Sequence, residues 1–338
     1  MFQKPIVYIG IVTYNSMRDL PPCLASIRKQ KYRNIKIIIY DNASSDTVVS
    51  WLRKHAPNIL LISNTDNIGF GRAHNRIIQS IQFQDNDYYL PLNPDVVLDV
   101  SYVTNLMSAL QKHRAQWGVG KLYLDQKKTM LYSVGHALRR DGFAFNIGQG
   151  EIDTGQYNTE REIFGAPAAA SLMSIRMIRT ISDQWGLFDS SLFMYYEDVE
   201  LDWRSRLTGL RCWYAPSAFA VHTGAKLYRR LELESIVNRY LSVFKNAFFT
   251  DLVFYNIPII VFHCIVRLII TPLEGLQLLY RLFCQCPIMF KKRRKPHISQ
   301  YEMHRWFTWS EGQQTKQPTT YISRAQFFIR KQMSLLSV

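Results

Sequence analysis

Val7-Tyr8-Ile9-Gly10-Ile11-Val12 runs into Thr13-Tyr14-Asn15, and Ile35-Lys36-Ile37-Ile38-Ile39-Tyr40 runs into Asp41-Asn42-Ala43-Ser44-Ser45-Asp46. Both are short apolar runs rich in β-branched residues, and both stop at a polar cluster. Such runs read as strands buried on two faces, the pattern of a parallel sheet. Between them Leu20 to Lys29 has helical spacing, with Pro21 and Pro22 at its start, where proline is tolerated. The alternation continues with a helix over Thr47 to His55, capped by Ser45 or Asp46, and a strand over Ile59 to Ile62. A helix over Gly71 to Ile81 and a strand over Tyr88 to Leu92 follow, the strand closing on Asn93-Pro94-Asp95. Alternating strands and helices of this kind predict a doubly wound α/β sheet, which binds ligands outside the carboxyl ends of its strands.

Each cluster also has a plain local reading. Asp41-Asn42 is good turn chemistry, and Asn93-Pro94-Asp95 suits a β-turn with proline at its second position. Asn67-Ile68-Gly69-Phe70-Gly71 is only loosely like a phosphate loop. It lacks GxGxxG and the Lys-Ser/Thr pair, which argues against a dinucleotide dehydrogenase and a P-loop ATPase. The set is more telling than its members: four strands in succession end in acid or amide groups on one edge.

Farther along, Leu192 to His222 places Glu197, Asp198, Glu200 and Asp202 among Met194, Tyr195, Tyr196 and Trp203. Acids among aromatics are costly to bury without a positive partner. Glu197 and Asp198 also fit the first turn of a helix, where the dipole favours them. Glu200, Asp202 and Arg204 read as that helix's surface and capping charges, with Asp202 and Arg206 spaced to pair. Trp203 and Trp213 are expected in the core. Trp117 to Gly120 is a strand candidate, and Leu131 to Gly150, with His136, Arg139 and Arg140, is irregular and suits a loop or a small β-excursion. Phe164 to Met173 reads as a strand of small residues.

The chain has 338 residues, 47% of them hydrophobic, with a net charge of +15 and a pI near 9.6. It has enough apolar residues for a core, and its charge favours an anionic partner. Five cysteines without metal-type spacing point to a reducing compartment, and the strand pattern directly after Met1 leaves no signal peptide to be expected. After His222 the composition shifts. Leu227 to Phe249 is basic and helical, with Arg229, Arg230, Arg239 and Lys245. Leu252 to Ile270 is apolar, with an uncharged run of about 15 residues, short of the roughly 20 a span needs. Leu273 to Phe290 is apolar on one face and ends in the basic run Lys291 to Lys295. Basic and apolar residues interleaved in helices predict an interfacial anchor on an anionic membrane, with a spanning helix at 252–271 as the alternative and nucleic acid disfavoured. The polar stretch from Pro296, with Trp306, Phe307 and Trp309, carries no readable role.

Taken together, Thr13-Tyr14-Asn15, Asp41 to Asp46, Asn67 to Gly71 with Asn75, Leu92 to Asp95, Gly165-Ala166, and Glu197-Asp198 with His222 resemble the inverting GT-A glycosyltransferases of family 2, especially bacterial rhamnosyltransferases of polysaccharide assembly. The resemblance implies a GT-A domain over 1–225, with a nucleotide-binding half over about 1–97 and an acceptor and catalytic half over 98–225. A helical membrane-associating region over 226–295 and a polar tail over 296–338 would follow. It implies a nucleoside-diphosphate sugar donor, above all dTDP-L-rhamnose, and a lipid-linked or cell-surface glycan acceptor at the cytoplasmic face of the bacterial inner membrane. Thr13, Tyr14, Asn15, Asp41, Asn42, Asn67, Gly69, Phe70, Gly71, Asn75, Asn93, Gly165 and Ala166 would bind the donor. Asp198 would be the catalytic base with Glu197 beside it, and Asp95 and His222 would hold Mn²⁺ or Mg²⁺. Asn93 stands where the family often has the first acid of Asp-x-Asp. A sugar-1-phosphate nucleotidyltransferase and a non-enzymatic membrane-bound binding module are the alternatives.

Overall fold

A computed structural model of the protein describes residues 4–224 and 233–308. Its first part alternates as β1 (Val7–Thr13), α1 (Leu20–Arg28), β2 (Ile35–Asn42), α2 (Val48–His55), β3 (Leu60–Asn64), α3 (Phe70–Gln79) and β4 (Tyr88–Leu92). The strands stand parallel in the order β3-β2-β1-β4. The chain winds outward from β1 and then returns to β1's other side, so a switch point opens between the ends of β1 and β4. The first β-branched run is buried as expected, with Val7, Ile9 and Ile11 fully covered, whereas the second is buried only from Ile38 onward and Ile35 to Ile37 stay partly exposed. At the start of α2, Asp46 Oδ1 accepts from the Val48 amide, and its Oδ2 accepts from Met17 N.

The second part adds β5 (Val96–Leu98), α4 (Tyr102–His113), β6 (Trp117–Tyr123), β7 (Leu131–Ser133), the hairpin β8 (His136–Leu138) and β9 (Ala144–Asn146), and β10 (Arg161–Ile163). Then come β11 (Leu172–Ser174), α5 (Ile175–Ile181), α6 (Glu197–Leu207) and β12 (Cys212–His222). Antiparallel β11 joins β4 to β6, and β12 lies parallel to β6, giving the order β10-β12-β6-β11-β4-β1-β2-β3. The sheet is therefore mixed, with helices on its faces. The strand expected over Phe164 to Met173 is confined to its last residues. Pro167 has no amide to give a ladder, and the amides of Ala166 and Ala168 go instead to carboxylates on α6.

Helix α6 differs most from expectation. Glu200, Asp202, Arg204 and Arg206 do not lie on a solvated face; all are buried. Glu200 pairs with Arg204 at 3.0 Å and with Lys245 at 2.8 Å. Arg206 reaches Glu162 at 2.6 Å and stacks on Trp306, so it does not pair with Asp202. Trp203 and Trp213 are core residues as expected.

The C-terminal region consists of α7 (Leu233–Asn246), α8 (Phe249–Asp251), a π-helical turn at Leu252–Asn256, α9 (Ile257–Ile270), α10 (Pro272–Lys291) and α11 (Gln300–His304). Arg229, Arg230 and Trp309 fall outside the described residues. Two lysines from this region enter the body of the fold. Lys245 and Lys292 each lie 2.6 Å from Asp189, in the turn before α6. Burial opposes the charge of Asp189, yet the two lysines hold its carboxyl far below the usual carboxylate range. The basic run is thus partly internal, because Lys292 is buried, Arg293 caps carbonyls at Phe244 and Ala247, and Arg294 pairs with Asp183. The apolar stretch is longer than its uncharged core. Phe249–Ile270 runs helical through the π turn, with Pro258 directly after that turn. This one helix among the described residues is long and apolar enough to cross a membrane by length and composition.

Candidate active site

At the carboxyl edge of the sheet, β1 and β2 pair with Thr13 opposite Asp41. Thr13 Oγ1 donates to Asp41 Oδ1 at 2.9 Å, and Asp41 Oδ2 accepts from Ser44 N. Asn42 Oδ1 accepts from Ile68 N at 2.9 Å, and its Nδ2 donates to Asn67 Oδ1 at 2.7 Å. Asn67 Oδ1 also takes the Gly69 amide at 3.0 Å. Asn15, at a positive φ of 53°, accepts from Ser45 N at 2.8 Å and ties the β1 loop to the β2 loop. Tyr14 stands exposed at the rim. These strand ends form a continuous polar ledge of fixed geometry.

The rest of the 67–75 stretch faces inward. Gly69 has a φ of 85°, and a Cβ there would strike the Phe193 carbonyl. A Cβ on Gly71 would meet Phe188, and Phe70 packs edge-on against His74 and Phe188. Asn75 donates to Phe188 O at 2.8 Å and accepts from Phe188 N at 3.1 Å. The small residues and Asn75 therefore seat the 185–193 loop, which leads into α6, and the space at the glycines is occupied by protein.

Beyond β4, Asn93 N donates to Ala169 O at 2.9 Å, fixing the Asn93-Pro94-Asp95 turn. Strand β5 pairs antiparallel with the end of β12, Val96 opposite His222. That register brings His222 Nε2 to 3.1 Å from Asp95 Oδ1. The imidazole is buried, with Tyr132 edge-on to it and Nδ1 without a partner among the described residues. Among the described residues no group of three or more His, Cys, Asp or Glu forms a metal cage. An oxygen and an imidazole nitrogen 3.1 Å apart suit neighbouring positions on an octahedral cation that would take its other ligands from substrate phosphates and water.

Helix α6 supplies the acids. Its entry is strained, since Tyr195 and Tyr196 both have positive φ (69° and 67°). Asn238 of α7 holds them by donating to the Met194 and Tyr195 carbonyls at 2.9 and 3.0 Å. Such conformations persist only where the surroundings fix them. Asp198 keeps part of its side chain exposed, 23%, and its Oδ2 accepts from Ala168 N at 3.3 Å. Glu197 is buried, with Oε2 unpartnered among the described residues. Burial, reinforced by Asp198, pushes its carboxyl up to about 8. One turn on, Asp202 accepts from Trp117 Nε1 at 3.0 Å, Ala166 N at 3.0 Å and His136 Nδ1 at 2.8 Å. Gly165 has no room for a side chain because Asp202 lies against it.

One short stretch thus joins the parts. Ala166 and Ala168 amides bind Asp202 and Asp198, and the Ala169 carbonyl binds Asn93. Gly165 and Ala166 were expected to line the donor sugar; they back the acid helix. Sequence reasoning missed His136, Asn238, Lys245 and Lys292 as parts of this assembly. No local signal marks them, since each acts on a partner more than 40 residues away.

Comparison with known proteins gives a consistent picture. The model of the family described as "Glycosyl transferase family 2" matches residues 8–178, half of the chain. The N-acetylglucosaminyl-diphospho-decaprenol L-rhamnosyltransferase of Mycobacterium tuberculosis is 28% identical over 234 residues, covering 64% of this chain and 76% of the relative. The rhamnosyltransferase WbbL of Escherichia coli K12 is 25% identical over 224 residues, covering 64% and 83%. Among solved structures, GalNAc-T7 with UDP, GalNAc and Mn²⁺ superposes with a TM-score of 0.57 at 14% identity, over 71% of this chain and 47% of that one. This last likeness identifies the GT-A fold.

Proposed function

The chain belongs to glycosyl transferase family 2, and we propose that this glycosyltransferase moves L-rhamnose, with inversion, from dTDP-L-rhamnose to a hydroxyl of a lipid-linked glycan. The sugar is carried over from the two rhamnosyltransferase relatives, and the lipid-linked acceptor from the name of the mycobacterial one. The observation that supports transfer most directly is the Ala166–Ala170 stretch, which holds Asp198 and the Asn93–Asp95 turn to a common backbone. A base and a diphosphate-facing acid fixed to one short segment suit a single displacement. The acceptor hydroxyl gives its proton to Asp198 as its oxygen bonds to the anomeric carbon, and the sugar–phosphate bond breaks with its electron pair on the diphosphate. Partial exposure of Asp198 leaves it open to an acceptor, while burial pushes the carboxyl of Glu197 beside it upward and favours its hydrogen-bond-donating form. The ledge of Thr13, Asp41, Asn42 and Asn67, with Tyr14 at its rim, takes the nucleoside.

Asp95 and His222 would hold a divalent cation, Mn²⁺ or Mg²⁺, which when bound supplies positive charge to the leaving diphosphate. We assign residues 1–225 to the transferase domain and 226–295 to membrane association. The π turn and helices α9 and α10 leave Phe254, Phe262, Ile269, Leu273, Tyr280 and Phe283 exposed, an apolar face suited to the interface of an anionic bilayer at the cytoplasmic side. Thermal-shift measurements against a panel of nucleoside diphosphate sugars, with and without Mn²⁺, test the reading, since a ligand of the native state raises apparent stability. We expect the largest metal-dependent rise with dTDP-L-rhamnose. A rise with another nucleotide sugar alone would replace the donor, and no rise with any would overturn the assignment of the ledge.

A further inference from the structure

We propose that His136, gripped by Asp202, is a positioning residue that orders and charges the environment of Asp198. The inference rests on the reading of Asp198 as base and adds a residue to it. His136 begins the β8–β9 hairpin, and its backbone amide donates to Gly165 O at 2.8 Å, so the hairpin is fixed to the stretch that also binds α6. Its ring is buried between two acids one helical turn apart. Nδ1 lies 2.8 Å from Asp202 Oδ2, and Nε2 lies 3.8 Å from Asp198 Oδ2. Asp202 already receives two hydrogen bonds from groups that can only donate, the Trp117 indole and the Ala166 amide. It behaves as a carboxylate acceptor, which assigns the Nδ1 proton to His136 and turns Nε2 toward Asp198. The charged and titratable groups around the ring are Asp198, Asp202 and Glu197 on α6, with Arg206 and Cys212 also coupled to Asp202.

Asp198 and Asp202 lie one helical turn apart and repel one another, and a cation between them relieves this. Burial works against the charge, yet the facing carboxylates hold the imidazole above its ordinary value. His136, with the Ala168 amide, faces Asp198 Oδ2 and fixes its direction. The proton taken from the acceptor still goes to Asp198.

The test is steady-state kinetics and pH profiles of H136F and H136Q in the full chain, with D198N alongside. H136F retains ring volume without a donor, whereas H136Q restores an N–H near the Nε2 position. We expect H136F to lower kcat roughly 10²-fold with the KM for nucleotide sugar nearly unchanged. The acid limb of its kcat/KM profile should move to higher pH, and H136Q should recover part of kcat. If H136F does not fold, the same upward move of the acid limb is expected in H136Q, which keeps the N–H but carries no charge. An H136F enzyme within a few-fold of wild type, or one whose kcat falls while the acid limb stays in place, overturns the role of His136. Robust turnover by D198N would instead remove the base on which it rests, so the two failures are separable.

Discussion

The carboxyl edge of the parallel strands and the acid helix α6 both concentrate polar side chains, but they hold them in different ways. On the edge, Thr13, Asp41, Asn42 and Asn67 bond to one another across neighbouring strand ends. Strand ends in a doubly wound sheet emerge together on one side, so topology alone gathers those groups. Along α6 the groups are gathered by sequence and then separated by tertiary partners. Asp198 faces a partly open site, Asp202 meets His136 and Trp117, Glu200 meets Arg204 and Lys245, and Glu197 meets no hydrogen-bond partner at Oε2 among the described residues. The same chemical group therefore serves four purposes within six positions. The contrast teaches that a polar edge is read from topology, whereas a buried acid is read only from what it touches.

This contrast can be broken most forcefully at Asp198. D198N should reduce kcat by about 10³-fold while nucleotide binding, followed by thermal shift, persists. Loss of binding together with activity would place Asp198 on the donor ledge instead. Next in size is Asp189. D189A leaves Lys245 and Lys292 buried without their shared partner and should destabilise the fold by about 3–5 kcal/mol, read from chemical denaturation. The pH dependence has a definite sign. Because the carboxyl of Asp189 is depressed in the folded state, its contribution is present above the unfolded value near 4 and is lost as pH falls below it. D189A should therefore narrow the stability gap between neutral and acidic pH.

A smaller effect is expected on the diphosphate side. D95A should weaken Mn²⁺-dependent nucleotide binding by about 10- to 100-fold, and wild-type activity should disappear in EDTA. Full activity in EDTA would leave Asp95 and His222 as a structural pair. Glu197 gives a gentler signature. Its folded value of about 8 lies above its unfolded value, so the folded state binds the proton more tightly and stability falls as pH rises from about 4.5 toward 8. E197Q should flatten that decline in melting temperature, and an unchanged slope would mean that Glu197 is ionised in the fold. Finally, F283D should lower partitioning onto anionic liposomes a few-fold without altering turnover on a soluble acceptor analogue. Unchanged partitioning would remove the α10 face from the membrane contact.

The amino-acid sequence by itself determined the alternating β/α order, the edge on which the ledge forms and the order of the motif residues. Apolar runs and their polar ends are local patterns, and the handedness of parallel connections leaves few ways to arrange them. Asp95 and His222 were named together only through the family resemblance; the antiparallel pairing of β5 with the end of β12, which brings them to 3.1 Å, was not legible in the sequence. Only the tertiary structure decided which acid of α6 keeps part of its side chain exposed and which form internal pairs. It also decided that the 164–171 stretch would bind α6 instead of forming a strand, and that Lys292 would leave the basic run for the core. Helix periodicity says which face a residue occupies, but not whether that face meets water, a lysine or a histidine 66 residues away. The free energy of a charge depends on that partner and on burial, and neither is written within the turn that carries the charge.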